Sequence, residues 1–424
     1  MVDAIDDRVP SAKSLIWNWR CIQHAPRVHA APEKVRFIVH GTAALGMQGK
    51  GVQMSYLKKY CGIAVAGFVS FGANMASSCT FITLTGADGT VVASRTMEWG
   101  TFDLSPVMTF VPAGTEASAM KMPDGKDGAK WVTKYDIAGV TMLGQMLFGD
   151  GINSEGLNVS LLYLPGFAEY QEYDPVKAEI SLAPVDFVGF MLSQFASVAE
   201  VKQAAEKIRV VPVVTPELGG PAPVHFSVTD KSGDQIIVEF VGGEMKIYDK
   251  TLGVLTNSPP YDWHINNARN YINMRSVAWP SVKVDGIDLA PIGYGTGMLG
   301  LPGDFTPPSR FIRALAWTQT SRPTDGGEDT VHEAIRILAN FQLPMEATDQ
   351  KLNPAELEVL KYGGTQYTVS YDLQNLKAYY YTSMNPNLRS VDFKKFDFDA
   401  LSSPLKIPMR DQSAPFAIDV TPTP

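Results

Sequence analysis

The stretch that decides the fold is CTFITLTGADGTVVASRTMEWG, residues 79–100. Two runs rich in β-branched and apolar residues, FITLT and TVVAS, flank a turn whose Asp-Gly pair is a strong hairpin signal. The sequence therefore predicts an antiparallel hairpin over 81–94. Cys79 stands directly before the first strand of this hairpin, which places its thiol at the end of a sheet.

Upstream of Cys79, residues 54–78 have the pattern of a secretory signal peptide. Two lysines precede an apolar run, and three small residues form a cleavage box just before the cysteine. The apolar run of about 12 residues is too short to cross a bilayer, so we expect no stable membrane span. The predicted cut lies between Ser78 and Cys79, and it predicts a periplasmic or secreted protein.

The segment 1–53 has neither the periodicity of a domain nor the composition of a linker. Because a signal peptide normally stands at the N-terminus, we interpret 1–53 as an upstream extension that results from a misassigned start, with translation beginning at Met47 or Met54. The expected organisation is then a signal peptide at 54–78, one catalytic domain at 79–400 and a C-terminal tail at 401–424.

Composition narrows the class of protein. The chain has 424 residues, of which 45% are hydrophobic, and this is enough to bury a large core. The formal net charge is −8, and the residues after Ser78 carry the acidic excess. No basic stripe interleaved with aromatic residues is present, so we expect no nucleic-acid partner.

Three roles are open for Cys79. A lone cysteine is most often a small buried hydrophobe. At a new N-terminus it would be either the acylated anchor of a non-catalytic lipid-bound binding protein or a nucleophile whose own α-amine takes the thiol proton. The reference pKa values, about 8.5 for the thiol and about 7.7 to 8.0 for the amine, suit that transfer. A strand follows Cys79 directly, whereas a lipoprotein normally has a polar tether there, so the sequence favours the nucleophile.

Four blocks of the chain resemble the choloylglycine hydrolases, a family that includes bile salt hydrolases and penicillin V acylases. They are 79–100, 153–166, 254–271 and 293–314. The resemblance implies an N-terminal nucleophile hydrolase of class α+β, a four-layer αββα sandwich of two antiparallel sheets between helices. It implies an amidohydrolase that cleaves a linear amide in conjugated bile salts or in N-acyl substrates such as penicillin V, with acyl-homoserine lactone acylase as the alternative. It also implies a homotetramer without a cofactor, and a small-molecule N-acyl amide as substrate.

The resemblance assigns roles to six residues. They are Cys79 as the nucleophile, Arg95 as the cation beside its sulfur, Glu98 in place of the usual aspartate at the amine, Tyr163 through its backbone N–H and Asn257 through its amide as oxyanion donors, and Arg310 as a second arginine. The residues alone favour an ordinary turn asparagine at Asn257, before Ser-Pro-Pro, and a helix N-terminal salt-bridge partner on a solvated face at Arg310.

Other patterns complete the prediction. Hairpins are expected at 81–94, 226–248 and 365–382, and helices at 185–195, 198–208, 309–319 and 328–341. GTGMLG at 295–300 matches the dinucleotide fingerprint but is followed by Leu-Pro-Gly-Asp instead of a helix. No histidines are paired at metal-ligand spacing, so we expect neither a metal nor a cofactor. Trp99 and Tyr261 are expected to line an apolar substrate pocket.

Overall fold

The computed structural model of the chain describes residues 78–99, 102–343, 364–410 and 415–420. The predicted upstream extension 1–53 and the signal peptide 54–78, apart from Ser78, lie outside these residues. The strands of the described part, in chain order, are β1 (Thr80–Thr85), β2 (Val91–Glu98), β3 (Val107–Val111), β4 (Glu116–Ser118), β5 (Lys130–Val132), β6 (Ile137–Met142), β7 (Leu147–Asn153), β8 (Asn158–Tyr163), β9 (Ser181–Leu182), β10 (Arg209–Val210), β11 (Val224–Thr229), β12 (Gln235–Val241), β13 (Glu244–Tyr248), β14 (Val254–Leu255), β15 (Val282–Val284), β16 (Ile287–Leu289), β17 (Thr365–Asp372), β18 (Lys377–Thr382), β19 (Asn385–Asp392) and β20 (Leu405–Pro408).

The α-helices of the described part are α1 (Phe187–Gln194), α2 (Val198–Ala204), α3 (Tyr261–Ala268), α4 (Pro307–Thr320) and α5 (Gly326–Leu338). All three predicted hairpins and all four predicted helices are confirmed, with ends that differ by a few residues. Helix α3 was not predicted from the sequence. It is only eight residues long, too short for a clear apolar periodicity, and its N-cap residue, Pro260, makes no capping hydrogen bond.

Two antiparallel sheets form the body of the protein. The first sheet has the order β14-β1-β2-β17-β18-β19, and the second has β13-β12-β11-β8-β7-β6-β3-β20. Helices α4 and α5 contact the outer face of the first sheet through β1, β2 and β17, and α1 contacts the second through β7 and β8. This is the predicted α+β sandwich of the αββα type.

The opening hairpin forms for the local reason that its sequence predicts. Asp88 accepts hydrogen bonds from the backbone N–H of Thr90 at 3.0 Å and from its hydroxyl at 2.8 Å, and Gly89 has the positive φ of 86° that this turn requires. The hairpin then pairs Phe81 with Arg95 across the two strands. The eight residues of β2 are all buried: α5 packs against this strand, and the Arg95 side chain extends from it to the second sheet, where it donates to the Gly149 carbonyl.

Two further features lie at the periphery. Within the predicted tail 401–424, β20 adds an edge strand to the second sheet by pairing with β3, and the following Met409 is buried. The two-stranded hairpin of β15 and β16 has every residue of both strands exposed. No helix among the described residues has both the length and the apolar character needed to cross a bilayer.

Candidate active site

Cys79 lies one residue before β1 and has 2% of its surface exposed. Its Sγ is 3.9 Å from Sδ of Met97 on the neighbouring strand. Burial raises the pKa of the Cys79 thiol, and the charge of Arg95 acts in the opposite direction. The backbone N–H of Glu98 also faces the sulfur and favours the thiolate. The thiol is thus desolvated like a structural cysteine but has the cation that is typical of a reactive one.

Arg95 extends from β2 into the space between the two sheets, where it is 1% exposed. Its Nη1 donates to the carbonyl of Gly149 at 3.1 Å and to that of Leu161, both in the second sheet. The same atom lies 3.6 Å from Oδ2 of Asp150. Asp150 in turn accepts from the hydroxyls of two tyrosines of β17, at 2.7 and 2.6 Å. This cation therefore has a fully buried counter-charge and a fixed position near the sulfur.

Glu98, the last residue of β2, is fully buried. Its Oε1 accepts from the hydroxyl of Thr365 at 2.8 Å, whereas its Oε2 has no hydrogen-bond partner. Burial raises the pKa of Glu98 to about 7, against the opposing charge of Arg310. An unpaired buried carboxylate oxygen is costly, and a cation at this end of the strand would remove that cost.

Arg310, in the first turn of α4, connects the cysteine to the asparagine. Its Nη1 donates to the Cys79 carbonyl and, at 2.8 Å, to the Thr80 hydroxyl, and its Nη2 donates to Oδ1 of Asn257 at 2.6 Å. Burial lowers the pKa of Arg310 to about 10. Arg310 is fully buried, so it is not the surface salt-bridge partner that its sequence context also allowed.

Asn257, which follows β14 of the first sheet, and Tyr163, which ends β8 of the second, lie in contact. The Asn257 side chain donates from Nδ2 to the Tyr163 carbonyl at 2.8 Å. A carboxamide has two N–H donors, so one more N–H points elsewhere. The backbone N–H and carbonyl of one strand residue point to the same side of the strand, so the Tyr163 N–H also lies on the edge of β8 that Asn257 approaches.

An apolar pocket adjoins the cysteine. It has a volume of about 50 Å³. The Trp99 ring meets the Tyr163 ring edge-on at 5.2 Å and the Phe102 ring at 5.4 Å. Two polar atoms of lining residues, the Thr215 hydroxyl and the Trp99 indole N–H, are buried without a hydrogen-bond partner. The apolar pocket is defined by Cys79, Met97, Trp99, Phe102, Leu104, Met142, Leu143, Leu147, Leu161, Tyr163, Val185, Thr215, Leu218, Ala222 and Val224.

A single carboxamide holds the backbone around Trp99 and Phe102. Gln366 of β17 donates from Nε2 to the Trp99 carbonyl at 3.1 Å and to the Phe102 carbonyl at 2.9 Å. Its Oε1 accepts from the Leu104 N–H at 3.0 Å and from the Arg410 guanidinium at 2.9 Å. All four hydrogen-bonding positions of this buried side chain are therefore used.

The structure brings all six predicted site residues together around Cys79, and Trp99 lines the pocket as expected. Tyr261 does not line it, and that expectation is wrong. Tyr261 is fully buried beneath α4, where its ring packs against Phe311 and its hydroxyl accepts from the Leu252 N–H at 2.9 Å. A tyrosine whose hydroxyl finds a backbone partner is stable in the core.

Sequence reasoning missed three groups that the site uses indirectly. They are Gln366, Thr365, which bonds Glu98, and the buried histidines His225 and His264 beside Asn257. No sequence signal singles them out, because polar residues are common in the strands and in the helix that carry them. In the described part of the chain, no group of three or more His, Cys, Asp or Glu residues has the arrangement of a metal site.

Comparison with known proteins agrees with the resemblance that the sequence shows. The family described as linear amide C–N hydrolases, choloylglycine hydrolase family, matches residues 79–405. A bile salt hydrolase/transferase from Clostridium perfringens (strain 13 / Type A) is 29% identical over 323 residues, which are 76% of this chain and 94% of that protein.

Solved structures agree on the architecture. A conjugated bile acid hydrolase from Clostridium perfringens superposes with a TM-score of 0.65 and 27% identity, over 77% of this chain and 96% of that one. A penicillin V acylase from Agrobacterium tumefaciens gives a TM-score of 0.61 at 23% identity, over 78% and 91% of the two chains, and shares the fold.

Proposed function

The chain belongs to the choloylglycine hydrolase family of linear amide C–N hydrolases, and we propose that Cys79 is its nucleophile once a cut after Ser78 has freed the Cys79 amine. The observation that carries the proposal is the position of the Cys79 sulfur, which has charged and N–H-donating groups on one side and the apolar pocket on the other. A covalent hydrolase needs both, one for the chemistry and one for the acyl group.

In the first half of the reaction, the freed amine takes the proton of the Cys79 thiol and the sulfur attacks the substrate carbonyl carbon. The oxygen of the tetrahedral intermediate becomes negative and accepts from the Asn257 side chain and the Tyr163 backbone N–H. The carbon–nitrogen bond then breaks, and the ammonium returns its proton to the leaving amine. In the second half, water attacks the thioester, loses its proton to the same amine, and releases the carboxylic acid and the thiol.

Arg95 and Glu98 support these steps by charge. Arg95 lies where its positive charge opposes the effect of burial on the Cys79 thiol, so it favours the thiolate. Glu98 has an unpaired buried Oε2 and is close enough to act electrostatically on the Cys79 thiol. The freed amine of Cys79, when protonated, is the cation that Glu98 would pair with.

The substrate we propose is an N-acyl amide of the kind found in conjugated bile salts or in penicillin V. The lining of the pocket supports an acyl group that binds through apolar contacts, because aliphatic and aromatic side chains make up most of it. An acyl-homoserine lactone, with its alkyl chain, is the alternative that the same lining favours.

Three assays test this proposal together. The kcat/KM values on glycocholate, penicillin V and a long-chain acyl-homoserine lactone rank the acyl groups, and iodoacetamide alkylation followed by peptide mapping tests Cys79 as the reactive thiol. We expect turnover of at least one substrate and complete inactivation upon alkylation of Cys79. Failure on all three substrates would reject this substrate class, and an active alkylated enzyme would reject the nucleophile.

We further propose that the protein is exported to the periplasm or secreted, with residues 54–78 as its signal peptide. The apolar run, its basic flank and the small residues before Cys79 support this. The intact mass and N-terminal sequence of protein exported from a secretion-competent host test it. An unmodified Cys79 terminus is the expected result, whereas a diacylglyceryl mass on Cys79 would support the lipid-anchored alternative and remove the base.

A homotetramer is the assembly we propose. The hairpin of β15 and β16 exposes between 50% and 64% of each of its apolar side chains, Val282, Val284, Ile287 and Leu289. A two-stranded hairpin alone is marginal in water, so a second copy covering it would stabilise it. Light scattering should show a tetramer that Ile287→Glu dissociates, and Val176→Glu, at an exposed valine elsewhere, should leave the mass unchanged. A wild-type monomer would reject this assembly.

A further inference from the structure

Two buried histidines hold the backbone on the two sides of Asn257. His225 of β11 places Nε2 3.0 Å from the carbonyl oxygen of Thr256, and His264 of α3 places Nε2 2.9 Å from the carbonyl oxygen of Asn257 itself. Both rings are fully buried. Two consecutive carbonyls of this segment therefore each have an imidazole partner.

The identity of the acceptors fixes where the protons lie. A carbonyl oxygen only accepts, so Nε2 must carry the hydrogen in both rings. The Nδ1 of His264 is buried without a partner, and burial lowers the pKa of His264 to about 4. At neutral pH His264 is thus the uncharged Nε2–H tautomer, and its single hydrogen bond goes to Asn257. Its ring stacks on Phe311 at 4.7 Å, which fixes the plane of the donor.

The two histidines belong to one network. Nδ1 of His225 lies 2.9 Å from Oε1 of the buried Glu239 on β12. Glu239 also accepts from the Tyr261 N–H, at 3.0 and 3.1 Å, and Tyr261 begins α3, the helix that carries His264. Glu239 is thus connected to the Thr256 carbonyl through His225, and to the Asn257 carbonyl through α3 and His264. This network connects the Asn257 backbone to the second sheet.

We propose that His225 and His264 are positioning residues that fix Asn257 for stabilisation of the oxyanion. Neither histidine lines the apolar pocket, so each acts through Asn257. The Asn257 side chain is already oriented by Arg310 and by the Tyr163 carbonyl, and the histidines supply the matching restraint on its backbone. Preorganisation of this kind matters because an oxyanion donor that is misplaced or must reorganise loses much of its value.

His264 offers the cleaner test, because its one hydrogen bond is the one in question. His264→Leu replaces the imidazole with an apolar side chain of similar size that has no hydrogen-bond donor. His264→Gln, in contrast, can return an N–H to the Asn257 carbonyl. His264→Asn is too short to reach it, and it serves if the leucine variant does not fold. His332→Leu, on the exposed side of α5, is the matched control.

We expect His264→Leu to lower kcat/KM by about 10- to 100-fold, a part of the loss that follows removal of a whole oxyanion donor. His264→Gln should recover most of the activity, and His332→Leu should stay within about twofold of wild type. Alkylation of Cys79 by iodoacetamide forms no oxyanion, so its rate should stay within about twofold in every variant. The assay uses whichever of glycocholate, penicillin V and the acyl-homoserine lactone is turned over fastest.

The inference rests on the proposed function, and the outcomes separate the two. Unchanged kcat/KM in a folded His264→Leu or His264→Asn variant would overturn it. An equal fall in kcat/KM and in the alkylation rate would also overturn it, because that result indicates general damage to the site. A His264→Gln variant with a kcat/KM as low as that of His264→Leu would overturn it as well. A wild-type enzyme that iodoacetamide does not inactivate would instead reject Cys79 as the nucleophile.

Discussion

The polar wall of the site, formed by Arg95, Glu98, Asn257 and Arg310, is held by hydrogen bonds and buried charges, whereas the apolar pocket beside it is held by packing. Three of these residues, Arg95, Asn257 and Arg310, form hydrogen bonds that connect them to the second sheet or to one another. The pocket is lined by aromatic, leucine and methionine side chains, several of them in the connections between strands. In the proposed function the difference separates the tasks: the fixed polar groups carry out the chemistry, and the adaptable packing of the pocket selects the acyl group.

The two regions also differ in what anchors them. The polar wall stands on β2, on the segment that follows β14 and on the first turn of α4, and groups placed on strands and helices are held more precisely than groups on loops. The carboxamide of Gln366 holds two carbonyls of the pocket backbone, those of Trp99 and Phe102. Substitutions in the polar wall should therefore reduce turnover of every substrate, and those around the pocket should change the choice among substrates.

The largest effect is expected at the sulfur, where the two regions meet. Cys79→Ala removes the proposed nucleophile, so we expect a loss of at least about 10⁴-fold in kcat/KM on all substrates. The thiol is a small buried group, so the melting temperature should change little. Activity assays and thermal unfolding measure the two quantities. Substantial turnover by the alanine variant would show that Cys79 is not the nucleophile.

The next effect belongs to the oxyanion side of the polar wall. Asn257→Asp keeps the size and the contact with Arg310 but replaces the N–H donors with acceptors, so kcat/KM should fall about 10²- to 10³-fold for every acyl group. The variant should still be alkylated by iodoacetamide. Asn266→Asp on the exposed face of α3 is the matched control, and a similar loss there would show that added negative charge alone is responsible.

The sequence predicted Cys79 and Asn257 in different ways. Cys79, Arg95 and Glu98 lie within one hairpin whose register follows from its turn, so local physics alone brings them near each other. Asn257 and Arg310 reach Cys79 only through tertiary packing, and the order of the resembling blocks was the signal that found them. His225, His264 and Gln366 gave no such signal, because a buried polar residue is identified by its partners and these are distant in sequence.

Glu98 gives the third effect, on stability. Its pKa of about 7 lies above the unfolded value of 4.5, so the folded state prefers the protonated carboxyl. Stability is then full below about pH 4.5 and is lost as the pH rises through about 7. In a form that keeps Ser78 joined to Cys79, the unfolding free energy should fall by about 2 to 3 kcal/mol between pH 5 and pH 8, at about 1.4 kcal/mol per pKa unit.

Urea unfolding at the two pH values measures this loss. Glu98→Gln cannot ionise and should remove the part of the pH dependence that Glu98 contributes, whereas the part from Asp186, whose pKa burial raises to about 6, should remain. The processed protein should also show less of it, because the freed ammonium pairs with the carboxylate. An equal dependence in wild type and Glu98→Gln would assign it to another group and remove the proposed link between Glu98 and the amine.

The smallest effect is expected from the support of the apolar pocket. Gln366→Met keeps the length of the side chain but leaves the Trp99 and Phe102 carbonyls and the Leu104 N–H without this partner. Because the polar wall does not depend on Gln366, the alkylation rate of Cys79 should stay within about twofold. The backbone of the pocket should shift instead, and we expect kcat/KM to fall by about 5- to 10-fold for the best acyl group, or about 1 kcal/mol.

The ratio of kcat/KM between two acyl groups is the decisive measurement for Gln366→Met. A changed ratio with an unchanged alkylation rate means that packing and chemistry are separable in this enzyme. A uniform loss on all substrates, accompanied by slower alkylation, would mean that the backbone near Trp99 also places Glu98 and the sulfur. Since Glu98 and Trp99 are adjacent in the chain, that result would join the two regions through one peptide bond and make the pocket part of the catalytic framework.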